Sequence, residues 1–249
     1  MKFCISKFVL FACLLIAPNA WAAITWDTAT ANGNPTADTA DSFTHTIGTG
    51  SNVYVGVCVT TNGTDGSGSI DVSSLTVNGS AATFRAASDG VSQGAGIKTE
   101  YWDKVLGSTN GAVTVAVNVS ANDRFRTTAF SLFGVDQTTP VGTAATGEAT
   151  GTSASVNVSS AVNELVMSCL GVTLASSAWT VGAGQTERWV NSTDINTTAE
   201  QGSSEPGDAT VTMSHSWTSL QYGTLVAIPI KPAATTATTQ TLMLMGVGN

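Results

Sequence analysis

Residues 111–120 read "GAVTVAVNVS", and no other stretch limits the fold so tightly. Val113, Val115, Val117 and Val119 fall on one face of an extended chain, while Thr114, Ala116 and Asn118 fall on the other. A period of two in β-branched residues describes a strand buried on one side. Similar runs recur at 52–60 ("NVYVGVCVT"), 124–135 ("RFRTTAFSLFGV"), 163–174 ("NELVMSCLGVTL"), 208–217 ("DATVTMSHSW") and 222–230 ("YGTLVAIPI"). Between them lie "TNGTDGSGS", "VNGS", "SDGVSQGAG", "GSTNG" and "SEPGD", whose Gly, Asn, Asp and Pro residues make turns. Many strands joined by short turns, without a helical pattern, predict an all-β fold: an antiparallel β-sandwich or jelly roll. No break in composition divides residues 23–232, so they read as a single domain.

The first 22 residues read as an export signal. Lys2 and Lys7 give a positive start, "FVLFACLLIA" (8–17) an apolar stretch, and Ala20 and Ala22 the small residues before a cut. The mature chain then begins at Ala23. The apolar stretch is too short for a membrane span of about 20 residues. Acylation at Cys13 is the weaker reading, because Phe11 is bulky and the apolar run continues past the cysteine. The address is therefore secreted: the extracellular space or outer surface of a bacterium.

The charge excludes one class of partner. Of 9 basic residues Lys2 and Lys7 leave with the signal, against 17 acidic ones, so the mature net charge is near −10. An acidic surface with no basic cluster repels nucleic acid and anionic lipid. Cys58 and Cys169 are the cysteines left after export, each inside an apolar strand-like run. Export permits a disulfide between them, and two buried thiols fit the sequence as well.

Several phrases occur in a telling order: "SSLTVNGSAAT", "KTEYWDKVLGSTNGAVTVAVN", "FSLFGVDQTTPVG", "VSSAVNELVMSCLGV", "VGAGQTERW" and "LVAIPIKP". Their wording resembles a family of β-sandwich domains found in exported bacterial proteins, with a GVDQTTP…ELV…GAGQTERW…PIKP pattern. The resemblance covers almost the whole mature chain up to Pro232. It implies a fold and an exported location, and it brings no catalytic residues to carry over.

Chemistry is thinly supplied. His45 and His215 each lie in phase with apolar neighbours, and no His-x-His, HExxH or Cys/His spacing surrounds them. Serines abound, yet no G-x-S-x-G elbow presents one as a nucleophile. The acids sit in turns or beside aromatic residues without a pairing that suggests glycan hydrolysis. The chain reads as a non-enzyme, and a secreted hydrolase is the weakest of three functional readings. No cofactor is implied; calcium at Asp65 and Asp71 in "TDGSGSID" would lack the dense acids of a calcium loop.

The first functional reading is a structural or surface protein that self-associates, as a fibre subunit. After "PIKP" comes a polar connector, "AATTATTQ" (233–240), able to reach about 26 Å at about 3.3 Å per residue. It leads to an apolar, uncharged segment at 241–249 containing Leu242, Met243, Leu244, Met245 and Val247. Such a segment can add a strand to a sheet, its own or that of another copy or another surface protein. The second reading is a glycan-binding or adhesive module, with Trp179, Trp189 and Tyr222 as stacking aromatics.

Overall fold

The computed structural model describes residues 21–33, 37–63, 70–90, 96–123, 125–173, 178–192 and 198–235. Among them no α-helix occurs and every strand pairing is antiparallel. The first part of the chain forms β1 (Thr25–Gly33), β2 (Asp38–Ile47), β3 (Val53–Asn62), β4 (Val72–Val77) and β5 (Ser80–Ala81). It continues through β6 (Thr83–Asp89), β7 (Ile97–Gly107), β8 (Gly111–Asp123) and β9 (Arg126–Phe133). The second part forms β10 (Ala145–Val158), β11 (Leu165–Thr173), β12 (Trp179–Val181), β13 (Thr186–Asn191), β14 (Thr198–Pro206) and β15 (Val211–Ile230).

Three sheets stack. A four-stranded sheet, β2-β8-β4-β5, covers one face of a five-stranded sheet, β1-β9-β3-β7-β6. The other face of that central sheet packs on a sheet ordered β10-β15-β11-β14-β13, with β12 added beside β15. The sequence of β3 serves both interfaces. Val53, Val55, Val57 and Val59 meet the four valines of β8, while Tyr54 and Cys58 point the opposite way, toward Met167, Cys169 and Ile228. A strand buried on both faces loses polar alternation, which is why β3 reads as a nearly unbroken apolar run.

The runs at 208–217 and 222–230, expected as separate strands, are one strand that bends. Pairing of β15 with β10 skips from Ser216 opposite Ser153 to Gln221 opposite Gly151, and Gly151 takes φ +149°. The bend folds the ribbon back over itself, so that a Cβ on Gly147 would touch the Ser155 carbonyl. Leu170, Val172, Trp217 and Leu225 fill the space inside the fold, beside a second group of Val158, Val166, Val211 and Met213.

The two parts of the chain thereby share one topology. The order β1-β9-β3-β7-β6 matches β10-β15-β11-β14-β13, and β2-β8-β4 matches the folded-back ends of β10 and β15 with β12. Aligning Cys58 with Cys169 matches Asn52 with Asn163, both with positive φ before their strands. It also matches the bulges in β6 and β13, which fall at Arg85 and Arg188. Arg85 Nε donates to Asp103 Oδ2 (2.9 Å) and Arg188 Nε to Ser204 Oγ (2.7 Å), with Asp103 and Ser204 again at matching positions. The units pack through their five-stranded sheets about a pseudo-twofold axis, so that contacts recur in reciprocal pairs.

Candidate functional site

Cys58 and Cys169 are bridged, with Cα atoms 6.1 Å apart. The bridge joins β3 to β11 across the facing sheets rather than between neighbouring strands of one sheet. A disulfide suggests an oxidising compartment. It also divides the interface into two halves of different chemistry.

On one side of the bridge the interior is aromatic and aliphatic. Trp189 stacks on Phe130 (ring centroids 5.4 Å apart), Trp26 stacks on both, and the Arg188 guanidinium lies 4.6 Å from the Trp26 ring. Trp189, expected as a stacking residue for sugars, is 7% exposed and is part of this core. Trp179 is half-buried in β12, opposite Trp217, and Tyr222 lies exposed beside the bend of β15 with Leu220. The first of these three aromatics therefore sits in a different packing cluster from Trp179.

On the other side of the bridge the interior is polar. Glu200 Oε2 accepts from Thr128 (2.5 Å) and Oε1 accepts from Thr60 (3.1 Å). Arg126 donates to Asn191 Oδ1 (3.0 Å) and to the Thr198 carbonyl (3.3 Å), and the Thr99 and Thr224 hydroxyls bond at 2.8 Å. Burial, only partly offset by the two threonines and nearby Arg126, pushes Glu200 up to about 8. The reciprocity of the axis is visible here: Thr60 reaches Glu200, and Thr99, which matches Glu200, crowds Gly171, which matches Thr60.

Both histidines are buried in polar clusters. His45 bonds Thr30 through Nδ1 (2.8 Å) and Ser131 through Nε2 (3.0 Å), while Ser131 donates to Asp27 (2.6 Å). Here serine stands between acid and imidazole, so its proton is held by the carboxylate and the order required for a nucleophilic triad is absent. Burial lowers His45, against the pull of Asp27. His215 lies between Gln201 and Ser168, each at 2.8 Å, and burial pushes it down to about 3. Ser168, Ser203 and Gln201 are all inaccessible to solvent, which denies an external substrate access to the group. This second cluster was not legible as a unit, because its members are scattered over three strands, β11, β14 and β15.

The remaining candidates divide simply. Asp71 is held by the Lys98 ammonium, which also reaches Glu100 at 3.2 Å. Asp65 lies outside the described residues, as do Leu242, Met243, Leu244, Met245 and Val247. Among the described residues, no group of three or more His, Cys, Asp or Glu is arranged to hold a metal ion. Nor is any helix there long and apolar enough to cross a membrane. A surface hollow of about 380 Å³ lies between Trp21, Asp136, Val162, Glu164, Lys231 and Pro232, beside the point where Trp21 pairs with Ala234. Comparison with protein-family models, with curated proteins and with solved structures found no match.

Proposed function

We propose that this chain is a secreted bacterial structural or surface protein that self-associates, its segment 241–249 adding a strand to a sheet of a neighbouring copy. The observation that carries this reading is where the chain leaves the fold. Pro232 and Ala233 are buried, Ala233 N donating to the Gly134 carbonyl at 2.7 Å, and the chain comes to the surface at Ala234, which pairs with Trp21, and Thr235. The connector thus emerges at the surface from Ala234, and its length allows the apolar segment to reach a second molecule.

The rest of the molecule suits a mechanical role. Its interior imidazoles and its Glu200 carboxyl are committed to internal hydrogen bonds, and a disulfide ties the two units at their centre. A head-to-tail strand donation does not close on itself, so it builds a filament. Deleting Thr241–Asn249 tests this: the full-length secreted protein should form filaments by electron microscopy, and the truncated one should elute as a monomer. Equal assembly of the two proteins would reject the proposal.

A further inference from the structure

The interior between β11, β14 and the folded-back end of β15 is polar where the first unit is largely apolar. Matched through the cysteines, Ser168 stands where Val57 stands, Ser203 where Trp102 stands, and Gln201 where Glu100 stands. In the first unit this layer is filled by Val55, Val57 and Val59 against the valines of β8. The topology therefore does not demand hydroxyls, an imidazole and carboxamides at this place, and burying them forgoes hydrophobic stabilisation.

Their geometry is directional. Glu187 Oε2 accepts from Gln201 Nε2 (2.6 Å), which turns Gln201 Oε1 toward His215 Nδ1 (2.8 Å). His215 thus carries its proton on Nδ1 and leaves Nε2 as an acceptor, 2.8 Å from Ser168 Oγ and 3.4 Å from Ser203 Oγ. Ser203 Oγ donates to Gln185 Oε1 (2.7 Å) and lies 2.8 Å from Ser168 Oγ. A hydroxyl thus has a base within reach on one side and a carboxamide in contact on the other.

We propose that Ser203 and Gln185 join in an intramolecular ester. Ser203 turns its hydroxyl away from Gln185 Oε1 and passes the proton to His215 Nε2, directly or through Ser168, as its Oγ bonds to the Gln185 carboxamide carbon. The carbon–nitrogen bond then breaks, the nitrogen takes up the proton from His215, and ammonia leaves. One hydroxyl and one carboxamide become one ester and one ammonia, with no change of oxidation state. Gln185 is only half-buried, so ammonia escapes to solvent, while the Ser203 hydroxyl is fully buried beside Ser168 and His215. The strong depression of His215 by burial keeps the imidazole neutral, with Nε2 free to accept. The bond would strap β14 to the turn before β13, and it stands independently of the role of segment 241–249.

The test is the intact mass of the secreted, denatured and reduced protein, followed by a peptide map. The expected mass is lower than the sequence mass by one ammonia, with the Gln185 peptide joined to the Ser203 peptide and released by hydroxylamine. Ser203→Ala should restore the full mass, and Ser168→Ala should slow the loss. A wild-type chain at full mass, or an ammonia loss mapped elsewhere such as to an Asn-Gly pair, overturns the proposal. The wild-type map decides the matter even if the variants fail to fold.

Discussion

Cys58 and Cys169 occupy matching positions in β3 and β11 and are bonded to each other, which places the disulfide at the pseudo-twofold axis relating the two units. The bridge closes a separation of 111 residues, long enough for cross-linking to restrict the unfolded chain strongly. Replacing both cysteines by alanine should lower stability by about 4 kcal/mol, read from urea unfolding, with a steeper slope as the freed unfolded chain exposes more surface. A shift too small to measure would mean that the interface holds without its staple.

Two buried groups give stability opposite dependences on pH. Glu200 titrates near 8 in the folded chain against 4.5 unfolded, so its contribution is complete below 4.5 and is lost as pH rises to about 8. His215 titrates near 3 against 6.5, so its contribution is complete above 6.5 and is lost as pH falls toward 3. Each slope is at most about 1.4 kcal/mol per pH unit. Glu200→Gln should remove the alkaline decline, and His215→Gln the acid one, in urea titrations from pH 4 to 9. An unchanged alkaline slope in Glu200→Gln would exclude the buried carboxyl as its source.

Arg126 is buried and holds Asn191 and the Thr198 carbonyl, with Glu200 nearby. Arg126→Ala leaves these acceptors without their donor and opens a cavity between the units. The expected loss is about 3–5 kcal/mol by urea denaturation. A loss below about 1 kcal/mol would show that water or a rearranged Asn191 replaces the guanidinium.

Gly202 is matched to Tyr101 of the first unit, and here the ring that fills the space comes from Trp189 instead. A Cβ at Gly202 would fall within the Trp189 indole, so Gly202→Ala should destabilise by about 1–3 kcal/mol through overpacking. Gly79→Ala is the contrast: φ is +72° and no atom lies within 4 Å, so its effect is backbone strain alone, about 1 kcal/mol. Quenching of Trp189 fluorescence should change in the first variant and not in the second.

The period of two in β8 and the long apolar run of β3 declared their burial in the sequence, and with it the all-β fold. The duplication was hidden, because the matched strands differ where they face different interiors: Val57 against Ser168, Tyr101 against Gly202, Ala86 against Trp189. Its traces were small. They are the common spacing of Asn52 to Cys58 and Asn163 to Cys169, and the shared "T-x-R" of Thr83–Arg85 and Thr186–Arg188. The pairing of the cysteines was equally open until register set both on the inner face of their sheets. Trp189, in a strand-like run of the sequence, fitted either a stacking surface or the core, and the bulge at Arg188 sets its indole in the core.

The most direct test of self-association by strand donation is competition. A synthetic peptide of residues 241–249 is added in excess to purified full-length protein during assembly, and filament length is measured by electron microscopy. The account predicts filaments that shorten in proportion to peptide, as free strands occupy the acceptor edges. Filaments of unchanged length, or a protein that stays monomeric at high concentration without peptide, would contradict it.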